Sequence, residues 1–346
     1  MIDYPAHLEA MWQRHLAPRE PNAPTVISTF AGAGGSSLGY SMAGYRELLA
    51  VEWDNNAVET FKLNFPGVPV YHGDISELSV DECLSIAGIQ PGELDILDGS
   101  PPCQGFSTAG KRVMDDPRNQ LFREYVRLLR GLRPRAFVME NVSGMVKGKM
   151  KLVFVEILKE LKASGYRVSA RLLNAMYFHV PQSRERMIFI GVRDDLGIEP
   201  SHPKAEGRPV TVGDAIRKVD TGVLAPHLSG KFGELSKRLV PGQSISDLTG
   251  SYGHGNQRLL STKPSPTIVK TAIFGAPKMI HPIEDRGVSI GEVKRLGSFP
   301  DGYEMLGGYE DSWQRNGNSD PPLMAEAIAR HIKNNIIDLI DRSPIE

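Results

Sequence analysis

The chain has 346 residues, 40% of them hydrophobic, with 40 Lys and Arg against 41 Asp and Glu and a formal net charge of −1. That size suits one large domain with a smaller partner, and two cysteines exclude a disulfide framework or a four-thiolate zinc site. No run approaches the roughly 18 apolar residues a membrane helix needs, and the opening MIDYPAHLEAMWQRHL lacks the basic-then-apolar order of a secretory signal, which points to the cytoplasm.

A short amphipathic helix is expected near the start, before Pro18, Pro21 and Pro24 form a stiff lead-in to the first strand. From Thr25 the texture changes. Short apolar runs at Thr25–Phe30, Leu48–Glu52, Val68–Tyr71, Leu94–Asp98, Arg135–Glu140 and Met187–Val192 alternate with helical stretches such as Asn55–Asn64, Asn119–Gly131 and Met150–Ser164. This rhythm predicts an α/β fold with a doubly wound, mostly parallel sheet, whose ligands collect outside the carboxyl ends of the strands. After Arg193 the rhythm breaks. Residues 194 to about 282 are rich in Pro, Gly and His and read as a second, smaller domain, with eleven Lys or Arg against eight Asp or Glu, an excess of three. A last helix is predicted from Asp320-Pro321-Pro322 through Ile328, Ile332, Ile336 and Ile340.

The first strand leads into Phe30-Ala31-Gly32-Ala33-Gly34-Gly35 and then a helix, so backbone N–H groups and a helix dipole face the ligand edge. A dinucleotide fingerprint would place a third glycine where Ser37 stands, which weighs against a pyrophosphate. Glu52, twenty positions after Gly32, suits the ribose hydroxyls of an adenosine-containing ligand, Trp53 offers a stacking face, and Asp74 in Gly73-Asp74-Ile75 can accept from an adenine amino group. The plainer alternative is a structural glycine turn flanked by solvated acids.

The fourth strand runs into Asp98-Gly99-Ser100-Pro101-Pro102-Cys103-Gln104-Gly105-Phe106-Ser107, which sets Cys103 on a proline-stiffened loop at that edge. Cys83, in an apolar helix, reads as inert packing. The next strand ends in Glu140-Asn141-Val142, with a carboxyl in reach of a substrate held over Cys103. Gln182, Arg184 and Arg186 alternate along an extended segment and share a face, which suits a nucleobase or phosphate; an ion-pair ladder with Glu185 is the alternative.

On these segments the chain closely resembles the cytosine-5 DNA methyltransferase family in its compact bacterial form. The blocks above stand in the family's order, and two more follow: Glu292-Val293-Lys294-Arg295-Leu296-Gly297-Ser298-Phe299-Pro300-Asp301 and Gly317-Asn318-Ser319-Asp320-Pro321-Pro322. The chain departs from the family pattern at Ser28, where an acid is common, and at Asp320, where valine is usual.

The resemblance implies a Rossmann-like methyltransferase with S-adenosylmethionine as donor and S-adenosylhomocysteine as product. Phe30, Gly32, Gly34, Gly35, Glu52, Trp53, Asp74, Ile75, Pro102, Asn318 and Ser319 are the implied cofactor residues. Cys103 is the implied nucleophile toward carbon 6 of a flipped-out cytosine. Glu140 would bind and protonate N3, Asn141 would position Glu140, and Arg184 and Arg186 would contact the base carbonyl or flanking phosphates.

Residues 283–346 would then rejoin 1–193 as the catalytic and cofactor-binding domain, leaving 194–282 as a target-recognition domain. Lys231, Lys237, Arg238, Arg258, Lys263 and Lys270 are its candidate DNA contacts, with no individual role assigned. The expected partners are double-stranded DNA and a cognate restriction endonuclease acting on the same site, with no metal and a monomeric enzyme. The rivals are the same chemistry on transfer RNA, a catalytically silent DNA-binding relative, and a nicotinamide oxidoreductase, which the missing third glycine disfavours.

Overall fold

Seven strands carry the fold: β1 (Thr25–Thr29), β2 (Arg46–Glu52), β3 (Val70–His72), β4 (Ile96–Gly99), β5 (Ala136–Val142), β6 (Tyr166–Asn174) and β7 (Glu185–Arg193). The computed structural model describes residues 2–102, 120–146, 150–219, 225–250, 256–272 and 277–340, and in it the strands form one sheet in the order β3-β2-β1-β4-β5-β7-β6. The first five strands run parallel, and β7 is antiparallel to both β5 and β6. The expected doubly wound sheet is therefore present, with a reversed strand near one edge.

The helices are α1 (Tyr4–Leu16), α2 (Gly35–Met42), α3 (Asn55–Asn64), α4 (Val80–Ala87), α5 (Gln120–Leu132) and α6 (Met150–Ala163). Central strands are buried because helices cover them: β1 is buried at every position. On α5, Phe122, Tyr125, Val126, Leu129 and Leu132 recur at helical spacing and pack into the core with Leu97, Phe137 and Phe189. Each such side chain contributes about 1.5–3 kcal/mol on burial. Helix starts follow local chemistry: the Asp54 carboxylate accepts from Ala57 N ahead of α3, and the Ser79 hydroxyl accepts from Glu82 N ahead of α4.

The chain packs into two compact units. One comprises Ala17–Asn174, Glu185–Lys204 and Ala325–Glu346 and holds the whole sheet; the other comprises Met1–Leu16, Ala175–Arg184 and Ala205–Met324. These bounds differ from the expected cuts after 193 and 282. Buried Arg258 ties 283–324 to 205–282: it donates to the carbonyls of Ser236, His281 and Glu284 and pairs with Asp285, while Arg286 binds the Glu292 carboxylate through both terminal nitrogens within the later segment. Arg258, a candidate DNA contact, is thereby spent on the interior of its own unit. Lys231, Lys237, Arg238, Lys263 and Lys270 are exposed.

This second unit also contains α7 (Val212–Ala215), α8 (Gly230–Lys237), α9 (Ile245–Thr249), the parallel pair β8 (Gln257–Arg258) and β9 (Met279–Ile280), α10 (Ile290–Leu296) and α11 (Tyr309–Asn318). In it α1 buries Tyr4, Leu8 and Met11, and the Tyr4 hydroxyl donates to the Arg295 carbonyl at 2.8 Å. The last helix, α12 (Pro322–Asn335), stops short of the expected Ile340. The Asn335 side chain turns back to the His331 carbonyl, and Ile336, at φ −131°, leaves the helix for a single 3₁₀ turn at Ile337–Leu339.

Candidate active site

The ligand edge is built first from a strained turn. Phe30, Gly32 and Gly34 have φ of 56°, 55° and 85°. Glycine adopts such angles freely, whereas at Phe30 the left-handed backbone costs about 1–3 kcal/mol, a strain that persists where neighbours over-determine it. Here the neighbour is the end of β2. Ala31 N donates to the Val51 carbonyl, and the Glu52 carboxylate accepts from Gly32 N (2.7 Å), Trp53 N and Asp54 N (both 2.9 Å). Gly34 caps α2 and Gly35 is its first residue, so these glycines shape the turn.

Beside it lies a cavity of ≈ 210 Å³ lined by Phe30, Val51, Glu52, Trp53, Gly73, Asp74, Ile75, Pro102 and Leu121. Five predicted cofactor residues thus converge with Phe30 on one pocket. Val51, Gly73 and Leu121 were missed, because an apolar strand residue, a glycine without a side chain and a residue in the first turn of α5 carry no mark of a ligand wall. Trp53 is 78% exposed, a large aromatic face with no packing role of its own, and Oε2 of Glu52 keeps a lone pair beyond its one backbone donor. An apolar slot, an exposed indole and two carboxylates suit an adenosine moiety.

At the position of the Ser28 departure a different acid is found. Ser37 donates to Ser28 at 3.2 Å, and Glu47 on β2 brings a carboxyl whose oxygens are buried. Burial pushes that carboxyl up to about 8, with the Ser28 and Ser37 hydroxyls opposing the shift and Asp98 adding to it. An acid absent from β1 is thus supplied from the neighbouring strand, which sequence reasoning missed because no motif marks it.

Cys103 lies outside the described residues. Its attachment is described: Pro101 O accepts from the Asn141 side chain at 3.2 Å, and Asn141 Oδ1 accepts from Val142 N. Asn141 was expected to position Glu140; its side-chain bonds tie β5 to the loop that leads to Cys103. Cys83 is buried, and burial pushes its thiol up to about 12 against the opposing charge of Arg127.

Glu140 forms an ion pair with Arg186, each side chain 14% exposed. The pair exists because β7 is antiparallel: its beginning meets the end of β5, with Val142 opposite Arg186.

Arg184 and Gln182 are used differently from expectation. Both are buried in the unit that contains Ala175–Arg184. Arg184 donates to the carbonyls of Ile268 and Gly317, both at 3.0 Å; Gln182 accepts from Ile268 N and donates to Leu296 O. Asn318, exposed at the end of α11, and Ser319, whose hydroxyl donates to Arg315 O, also belong to that unit, whereas the cavity belongs to the unit of the sheet. Among the described residues no cluster of three or more His, Cys, Asp or Glu could hold a metal, and no helix is long and apolar enough to cross a membrane.

The family model for C-5 cytosine-specific DNA methylases matches residues 24–334. The type II methyltransferase M1.HphI of Haemophilus parahaemolyticus is 35% identical over 89% of this chain and 86% of its own length. The type II methyltransferase M.XorII of Xanthomonas oryzae pv. oryzae is 32% identical over 89% and 84%. An E. coli prophage protein crystallised as a DNA modification methyltransferase superposes with a TM-score of 0.75 at 26% identity, covering 91% of this chain and all of that one. A pocket shaped for an adenosine moiety and a match that runs through both units make one conclusion: the chain belongs to the C-5 cytosine-specific DNA methylase family, an enzyme that methylates DNA cytosine at carbon 5 with S-adenosylmethionine as methyl donor.

Proposed function

We propose that Cys103 adds as a thiolate to carbon 6 of a cytosine rotated out of the duplex, while Glu140 binds and protonates N3 and so makes carbon 6 a better electrophile. Carbon 5 would take the methyl group that S-adenosylmethionine supplies, with S-adenosylhomocysteine as the leaving group; loss of the carbon 5 proton to water, return of the N3 proton to Glu140 and expulsion of Cys103 as thiolate would restore the aromatic base. S-adenosylmethionine supplies an electrophilic methyl group when bound. Phe30, Glu52, Trp53, Asp74, Ile75 and Pro102 would hold its adenosine end, and the turn of Gly32, Gly34 and Gly35 would give it room.

Arg186 orients the Glu140 carboxyl and contacts the base carbonyl. Arg184 is a positioning residue, because two carbonyls of its own unit occupy its terminal nitrogens. One observation carries this reading: Asn141 and Glu140 are adjacent on β5, the first bonded to Pro101 and the second paired with Arg186, so the acid and the approach to the thiol share one strand end.

Residues 194–282, with exposed lysines and no family block, serve as the target-recognition domain. The enzyme acts in the cytoplasm as a monomer, beside a restriction endonuclease of the same specificity. The names of the two type II relatives support that pairing.

The test is incubation with labelled S-adenosylmethionine and, separately, unmethylated genomic DNA and bulk transfer RNA, followed by bisulfite mapping. Label at one short recurring DNA sequence, abolished in Cys103→Ala with cofactor binding retained, is the expected result. Substantial turnover by Cys103→Ala refutes the nucleophile, and label only in transfer RNA refutes the target-recognition reading.

A further inference from the structure

One arginine that no motif reading singled out holds the wall of the cavity from behind. Arg127 on α5 donates from a single nitrogen, Nη2, to the carbonyls of Ile75 (3.0 Å) and Leu78 (2.8 Å), while its Nε pairs with Glu124 Oε2 at 2.6 Å. Those two carbonyls bracket the turn that follows β3, and Asp74 opens that turn. Asp74 is part of the same hydrogen-bonded unit: its Oδ1 accepts from Ser76 N and its carbonyl accepts from Glu77 N. Ile75 and Leu78 are buried and anchor the turn through their side chains, whereas Asp74 itself is exposed.

α5 is docked on this region at two further points. Leu121 lines the cavity, and Gly131 lets the helix approach the start of α4 so closely that a Cβ there would lie 2.4 Å from Val80 Cγ2. The helix is thus a rigid bar from which one guanidinium closes the turn, and charge-assisted bonds of this kind are about twice as strong as neutral ones.

We propose that Arg127 is a positioning residue for adenine recognition: it fixes the turn of residues 74–78 so that the Asp74 carboxylate meets the adenine amino group in one orientation. This rests on the assignment of Asp74 to that amino group. Arg127 is not among the residues lining the cavity and acts through the backbone of the turn.

The experiment is calorimetric binding, without DNA, of S-adenosylhomocysteine and of S-inosylhomocysteine, whose 6-oxo group replaces the amino group. The parent is expected to prefer the adenosyl compound about tenfold, the worth of one good hydrogen bond. Arg127→Ala should lose most of that preference, and Arg127→Lys, which cannot bridge both carbonyls and hold Glu124, should fall between. Arg130→Ala removes an ion pair with Glu160 and a bond to Ser164 from the same helix and should keep the parental preference. Asp74→Ala separates the two layers. If it abolishes the preference while both Arg127 variants retain it, the positioning role is overturned and the Asp74 assignment stands; if Asp74→Ala retains the preference, the assignment itself fails and the proposal falls with it. Should Arg127→Ala not fold, a fully parental preference in Arg127→Lys overturns the proposal.

Discussion

Trp53→Ala separates binding from stability more cleanly than any other change at the pocket. The indole is 78% exposed, so its loss opens no cavity, and its backbone N–H, which donates to Glu52, is kept. A surface change of this kind alters stability by about 0.5 kcal/mol or less, so the melting temperature should hold within about 2 °C. Stacking of a base on an aromatic ring is worth about 1–3 kcal/mol. With the indole largely in water, the lower half of that range applies, about 1.5 kcal/mol. At about 1.4 kcal/mol per decade this is roughly a tenfold rise in the Kd for S-adenosylhomocysteine. Calorimetry on parent and variant, with thermal melting alongside, measures both quantities. A Kd within twofold of the parent at unchanged melting would refute the stacking role, and a large fall in melting temperature would contradict the exposed placement.

Glu52→Gln should lose stability and cofactor affinity together. Three backbone N–H groups converge on that carboxylate, and an amide nitrogen in place of one oxygen leaves at least one of them unpaired, at about 1–3 kcal/mol. Parental melting and affinity in the variant would rule the fastening role out. Glu47 gives a pH signature. Its carboxyl is raised from 4.5 in the unfolded chain to about 8 when folded, so the folded state favours the protonated form. That stabilisation is complete below about pH 4.5 and is lost as pH rises toward about 8, at about 1.4 kcal/mol per pH unit. Glu47→Gln lacks the titration, so its stability relative to the parent should grow by about 2.7 kcal/mol between pH 5.5 and 7.5 in urea unfolding. Parallel stability curves would show that Glu47 is not held protonated.

The parallel half of the sheet was legible because buried strands between helices must be short and apolar, and each strand end carries unusual residues that cluster at one edge. Tyr166–Asn174 was not recognised as a strand. As the edge strand β6 it is only partly buried, and Arg167, Ser169 and Arg171 alternate with Tyr166, Val168, Ala170 and Leu172, so it lacks the continuous apolar run of the buried strands. The pocket residues were legible because each combines a residue type with a strand end. The uses of Arg184, Asn141 and Arg127 were not, since their partners are backbone carbonyls at Ile268, Gly317, Pro101, Ile75 and Leu78, and a carbonyl is the same whatever side chain it carries. The compact units differ from the expected cuts for a related reason: the pairing of Arg258 with Asp285 is spatial, and spacing alone does not encode it.

The bond from Tyr4 to the Arg295 carbonyl spans 291 positions. At about 5–20 residues per second on the ribosome, Tyr4 waits roughly 15–60 s for its acceptor to be made. During that interval the Tyr4 hydroxyl, on the buried face that α1 forms with Leu8 and Met11, has no native acceptor. α1 therefore gains this tie only after the residues of all seven sheet strands have been synthesised.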